Sequence, residues 1–241
     1  MATARFARVA AAQPFGEGTR LLELVPDEPL GFVGGQYVIV DTGKTLPGGK
    51  ACKRAYSVLS CDGAQDRFRL AVKRIPGGVA SGHLHEVEVG ATVQFSGPWG
   101  KLAPADGAAG RTLVLATDTG ITAALGLVQS ARFRPLAPAT LFVWLEPPGD
   151  GFLPRALVRE MLPGDLGEVR FGELPPVGDA SRIAPARAIL RELLHAGALG
   201  QAFIAGDGLV NYALLDELVA AGVAATRDSV ESFFNMPKKS P

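Results

Sequence analysis

Short apolar runs with period-two alternation dominate the first part of the chain, and near residue 111 they give way to apolar runs spaced by helix-period segments. In the first part, residues 4–12, 20–24, 37–41, 56–60, 68–73 and 92–95 read as β-strands, punctuated by Gly, Pro and Asp. Six such strands with few helical stretches predict a small antiparallel barrel, an architecture that closes its own edges. Residues 42–53, with three glycines, one proline and three lysines, read as a long flexible loop. Further on, residues 113–116 form a continuous apolar strand and 121–132 a helix. Strands at 141–145, 168–171 and 201–205 are each followed by helical patterns, near 154–162 and at 183–196 and 210–221. Alternation of this kind predicts a parallel sheet with helices on its faces. Residues 103–111, rich in Ala, Gly, Pro and Asp, read as a hinge, which divides the chain into a β-barrel domain of 1–105 and an α/β domain of 106–241.

Bulk properties narrow the function. With 241 residues, 47% of them apolar and 20% charged, the chain has enough core for one large or two smaller domains and is not disordered. Lys plus Arg equals Asp plus Glu at 24 each, so the long-range attraction expected of a nucleic-acid binder is missing. No uncharged apolar run approaches the ~18 residues that span a bilayer, and residues 1–15 lack a signal-peptide core; a soluble, cytoplasmic protein is expected. Cys52 and Cys61 match neither a redox pair nor a zinc knuckle, and two cysteines cannot supply the four ligands of a conventional iron–sulfur cluster. His83 and His85 have no acidic or cysteine partner nearby in sequence and read as surface or loop histidines, so no metal site is expected.

The most distinctive chemistry is Arg54-Ala55-Tyr56-Ser57, which offers a cation, an aromatic face and a hydroxyl in one extended step. On a strand Arg54 and Tyr56 share one side, and Ser57 joins them only if the strand twists or ends there. A guanidinium suits a pyrophosphate because it presents two parallel donors. Glycine lets the backbone approach a phosphate closely, so Gly78-Val79-Ala80-Ser81 is either a second phosphate contact or simply a turn. Residues 116–122 join a strand to a helix, where unpaired amides favour an anion.

Taken in order, these segments, with Ser96-Gly97-Pro98-Trp99-Gly100, Thr117-Asp118-Thr119-Gly120-Ile121-Thr122, Ala205-Gly206-Asp207-Gly208 and Val230-Glu231-Ser232-Phe233-Phe234, resemble the ferredoxin-NADP reductase family of flavoproteins over essentially the whole chain. The resemblance implies a flavin-binding six-stranded antiparallel barrel, then an α/β parallel-sheet domain that binds NAD(P), with a C-terminal aromatic lid. It implies hydride transfer from NAD(P)H to FAD, favoured over FMN, and then single electrons to a protein carrier such as a ferredoxin, a flavodoxin or an oxygenase component. The alternative is a flavin-binding relay subunit of a larger complex with a weakened pyridine-nucleotide site.

By the same resemblance Tyr56 lies against the flavin ring, Ser57 bonds near its reactive nitrogen and Arg54 neutralises its phosphate, with Ala55 between them. Val72, Gly78, Val79, Ala80 and Ser81 complete the cofactor contacts of the first domain, and Lys73 falls where the family places a basic residue facing the phosphates of the nicotinamide nucleotide, the alternative being a solvated lysine at a strand end. Thr119, Gly120, Ile121, Gly206 and Asp207 do so in the second. Phe234, with Phe233 as the substitute, covers the flavin, and Glu231 handles a proton; the structural alternative is that both phenylalanines dock the terminus. Ser57, Glu231 and Phe234 are thus the candidate catalytic residues. The chain departs from the family in having Asp118 and Ala123 in place of glycine and proline, and Ala205 in place of cysteine. Asp118 is expected to cap a helix or to weaken nucleotide binding, and Asp207 adds a second acid at the crevice. Glu173 opposes a 2′-phosphate, whereas Arg182 and Arg187 could reach one, so the nucleotide preference stays open.

Overall fold

A computed structural model describes residues 3–105, 110–149 and 151–236 of the chain. Strands β1 (Arg5–Phe15), β2 (Thr19–Pro26), β3 (Tyr37–Thr45), β4 (Ala51–Ser57), β5 (Phe68–Lys73) and β6 (Thr92–Trp99) pair antiparallel in the order β4-β3-β6-β1-β2-β5. Their alternate residues, among them Val9, Leu22, Leu24, Val38, Val40, Leu70 and Val72, share one buried cluster in which Phe68 meets Phe95 edge to face at 5.5 Å. Each large side chain buried there contributes roughly 1.5–3 kcal/mol relative to exposure, which is why the period-two pattern specifies the strands.

Two features differ from the sequence expectation. Residues 42–53 are mostly a hairpin rather than a free loop: β3 runs to Thr45 and β4 starts at Ala51, paired at Asp41↔Lys53 and, after a register shift, at Thr45↔Ala51. Buried Cys52 and Thr42 hold it, the Thr42 hydroxyl donating to the Cys52 carbonyl at 3.0 Å, and Lys53 pairs with Asp41 at 2.9 Å. The segment at 56–60 shifts accordingly, since β4 ends at Ser57. The second difference is a helix, α1 (Val79–Glu86), where the sequence showed only a Gly-Gly turn. Tertiary contacts fix it: Leu84 is buried, the Arg20 guanidinium donates to the carbonyls of Leu84 and His85, and the His85 ring bonds the Val72 carbonyl at 2.9 Å. His83 and His85 are therefore half-buried helix residues, not loop residues.

The second half carries β7 (Thr112–Thr117), α2 (Ile121–Val128), β8 (Thr140–Glu146), α3 (Arg155–Met161), β9 (Glu168–Glu173), α4 (Ile183–His195), β10 (Gln201–Asp207), α5 (Gly208–Ala220) and β11 (Val230–Phe234). The five strands are parallel in the order β11-β10-β7-β8-β9. Leu113, Leu115, Val143 and Ile204 pack with α4 and α5 on one face, and Val114, Ala116, Trp144 and Phe203 pack with α2 and α3 on the other. Burial on both faces is why β7 and β8 read as continuous apolar runs. Helix α2 stops at Val128, short of the expected 132, and a 3₁₀ turn over Arg134–Ala139 follows, where Pro135 and Pro138 cannot donate to an α-helical ladder. The last parallel strand is β11, not the one at 201–205: its residues pair from Ile204↔Val230 to Asp207↔Phe234.

The halves meet backbone to backbone. A Cβ on Gly34 would overlap the Gly126 carbonyl and stand 2.5 Å from Ser130 Cβ, and one on Gly126 would overlap the Val58 carbonyl. Asp62 ties the contact, accepting from the Gly34 amide at 3.1 Å and from the Ala131 amide at 3.0 Å. Of the expected hinge at 103–111, residues 106–109 lie outside the described residues, as do 237–241 of the tail.

Candidate functional site

A cleft of about 290 Å³ opens where β4, β5, the start of α1 and the turn after β7 converge. Arg54, Ala55 and Tyr56 enter it from β4, and Ala71 and Lys73 from β5. Strand alternation decides the second pair: Val72, between them, is fully buried in the first core, so its side chain faces away, and Ala71, missed in the sequence, takes the place expected for it. Gly78, Val79, Ala80 and Ser81 line the opposite wall. Helix α1 has no side-chain cap, so its first amides are open to an anion. Gly78 is required there, because a Cβ would stand 2.6 Å from Ser81 Oγ and 3.0 Å from the Ile75 carbonyl. The Ser81 hydroxyl is engaged internally, accepting from the Ile75 amide at 3.1 Å and donating to the Gly78 carbonyl at 3.2 Å. It shapes the turn.

Ser57 follows Tyr56 but is buried, and its Oγ has no hydrogen-bond partner. A buried hydroxyl left in that state invites a ligand atom. Burial pushes the Tyr56 phenol up to about 12, so it stays neutral. Opposite Ser57 in register stands Tyr37 on β3. Its phenol is raised by burial and then by the charge of Glu231, which approaches from β11. Glu231 Oε2 lies 3.4 Å from the position a Cβ on Gly100 would take, and burial pushes its carboxyl up to about 7. Glu231 thus lies on the Tyr37 and Gly100 side and does not line the cleft. Neither do Phe233 and Phe234: both are half-buried on β11, Phe233 packing against the interdomain core.

The expected nucleotide residues of the second half separate. Thr119 lines the cleft, whereas Ile121 is fully buried in the core and Gly120 is pressed onto β10, where a Cβ would overlap the Ala205 carbonyl. Gly206, at φ +129, is similarly pressed onto the Thr117 backbone. Asp118 does not cap a helix: it holds φ 52, and its Oδ2 accepts from Arg182 Nη2 at 2.7 Å. Asp207 accepts from Arg182 Nη1 at 2.8 Å and caps α5 through the Leu209 amide at 3.0 Å. Desolvation raises the Asp118 carboxyl, against the opposing pull of Arg182. Arg182 is 2% exposed, and Arg187 pairs with Glu217 at 3.1 Å, so neither stands ready for a 2′-phosphate. Among the described residues no group of three or more His, Cys, Asp and Glu could hold a metal.

An uncapped helix start beside Arg54 and Lys73, with an aromatic ring and an orphaned hydroxyl at its end, fits a dinucleotide that carries a flat ring. The comparisons agree. The family described as the oxidoreductase FAD-binding domain matches residues 15–103. Over 139 residues the chain is 37% identical to ferredoxin--NADP reductase B of Sorangium cellulosum, covering 57% of this chain and 55% of that protein. Over 108 residues it is 32% identical to the phenol 2-monooxygenase reductase component DmpP of a Pseudomonas species, covering 44% and 29%. The chain therefore spans about half, or less, of these relatives. Among solved structures, the ferredoxin reductase in carbazole 1,9a-dioxygenase shares the fold, with TM-score 0.75 and 20% identity over 96% of this chain and 68% of that one. Residues 15–103 thus match an FAD-binding domain, and about half of the chain is similar to proteins named as reductases.

Proposed function

We propose that this chain is a flavoprotein reductase that takes electrons from NAD(P)H and delivers them to a protein carrier of the ferredoxin, flavodoxin or oxygenase-component type. One observation carries this most directly: Arg54, Tyr56, Lys73 and the uncapped start of α1 line a single cleft, next to the unpartnered Ser57 hydroxyl. FAD would be held by Arg54 and the amides of Val79, Ala80 and Ser81 at its diphosphate, and by Tyr56 and Ser57 at its ring. When bound it supplies the redox chemistry, accepting two electrons together and releasing them one at a time.

The chain's own residues do the positioning. Arg54 and Lys73 neutralise the diphosphate in a cleft that keeps the Tyr56 phenol un-ionised. Ser57 offers a buried hydroxyl that has no hydrogen-bond partner of its own. Glu231, titrating near neutrality, holds or releases a proton at its carboxyl oxygen beside Tyr37. Phe233 anchors β11 against the core. In this proposal the first sheet closes into a barrel over 1–105, residues 106–241 form the nucleotide domain, and the protein works in the cytoplasm. Among the described residues no helix is long and apolar enough to cross a membrane.

The test is direct. Purified protein reconstituted with FAD should be yellow, and anaerobic addition of NADH or NADPH should bleach it. A colourless protein that no flavin reconstitutes removes the proposal, and a yellow protein that neither nucleotide bleaches leaves only a relay subunit.

A further inference from the structure

In a parallel sheet the ligand crevice lies beyond the carboxyl ends of the strands, at the point where the order reverses. Here that point falls between β7 and β10, since β8 and β9 extend to one side and β11 to the other. Three charged side chains fill it. Arg182 reaches in from the loop after β9, with its side chain 3% exposed, and meets Asp118 at the end of β7 at 2.7 Å and Asp207 at the end of β10 at 2.8 Å, each carboxylate 1% exposed. With both aspartates ionised the triad carries one net negative charge, next to Thr119 on the cleft wall, and Lys73 of that wall acts on Asp118 from outside the triad.

The two aspartates are not equivalent. Asp207 is built in: its Oδ1 caps α5, its Oδ2 also accepts from Asn235 Nδ2 at 3.2 Å, and its amide donates to Thr117 Oγ1 at 2.8 Å. Asp118 is held more lightly. Its Oδ1 accepts no hydrogen bond, and Arg182 Nε donates none. Its backbone, fixed by Trp144 Nε1 donating to its carbonyl at 3.0 Å, sits at φ 52, a conformation glycine adopts freely and asparagine tolerates.

We propose that Asp118 is a specificity-determining residue that loosens dinucleotide binding, by occupying the Arg182 guanidinium that would otherwise meet a pyrophosphate and by adding a second carboxylate to the crevice. This rests on the proposed use of NAD(P)H. A doubly charged pyrophosphate entering the crevice meets two carboxylates and a guanidinium whose two Nη groups already bond Asp207 and Asp118. Removing Asp118 leaves the Arg182–Asp207 pair neutral and frees one edge of the fork.

Isothermal titration of the FAD-loaded protein with NAD⁺ and with inorganic pyrophosphate tests this in Asp118→Gly and Asp118→Asn, both compatible with the backbone. Both ligands should bind about tenfold or more tightly to Asp118→Gly than to the wild type. Asp118→Asn, whose amide oxygen still accepts from Arg182, should show a smaller gain. Unchanged or weaker affinity for both ligands in the variants, with melting curves matching the wild type, overturns the proposal. Failure of the underlying function appears elsewhere, as flavin that neither NADH nor NADPH reduces in any of the three proteins, and the pyrophosphate titration still reports on Asp118 in that case.

Discussion

Glu231→Gln isolates the most perturbed carboxyl near the candidate site. Burial raises its pKa from 4.5 to about 7, so between those values the folded protein holds a proton that the unfolded chain has released. Stability then falls as pH rises through this window and levels off above it. A shift of this size corresponds to about 3 kcal/mol as an upper bound, and partial exposure of Glu231 to screening water reduces it to about 1–2 kcal/mol. Glutamine keeps the shape and cannot ionise. Urea unfolding of wild type and variant at pH 5 and pH 8 should show similar stabilities at the lower pH. At the higher pH the variant should be more stable by about 1–2 kcal/mol. If the difference between the two proteins is the same at both pH values, Glu231 is an ordinary solvated carboxylate and cannot hold a proton near neutrality. The Tyr37 phenol gives a second readout, since its titration should drop once the neighbouring negative charge is gone.

Arg54→Ala removes a charge-assisted contact of about 1.5–3 kcal/mol, so FAD affinity measured by titrating the apoprotein should fall about 10- to 150-fold. Unchanged affinity would put the diphosphate elsewhere. Gly34→Ala drives a Cβ into the Gly126 carbonyl and toward Ser130 Cβ at 2.5 Å, and should lower unfolding stability by about 1–3 kcal/mol. An unaltered urea midpoint would mean that the contact between the halves opens readily.

Much of this was legible in the sequence because burial writes itself as periodicity. Alternating residues at 68–73 and the unbroken run at 113–116 gave strands of the correct type, since the first face is half covered and the second is covered on both sides. Arg54, Tyr56, Lys73 and Gly78, which the fold brings to one cleft, stand out in the sequence because those residue types suit phosphate and flat rings. What escaped depends on contacts distant in sequence. Helix α1 has a weak pattern of its own and is fixed by Arg20 and Leu84. Val230 to Phe234 looks like a tail until β10 supplies its partner. Strand alternation turns Ala71 to the cleft and Val72 to the core, a pattern readable in the sequence, whereas the capture of Arg182 by Asp118 and Asp207 joins residues up to 64 positions apart and has no local signal.

The two anion-handling regions have opposite electrostatic designs, and the difference matches what each would have to do. At the flavin cleft, Arg54, Lys73 and an uncapped helix start accumulate positive potential, as a cofactor that must stay through many turnovers requires. At the switch point Arg182 meets two carboxylates, Asp118 and Asp207, with Lys73 of the cleft wall also acting on Asp118. A nucleotide that binds there must leave after every reaction, and uniform binding energy that lowers the Michaelis constant far below the working concentration does nothing for turnover. Weak phosphate capture at the second region is thus compatible with a reductase, and the internal ion triad provides it without opening the fold: the charge that makes the crevice inhospitable also pins the loop after β9 to the ends of β7 and β10.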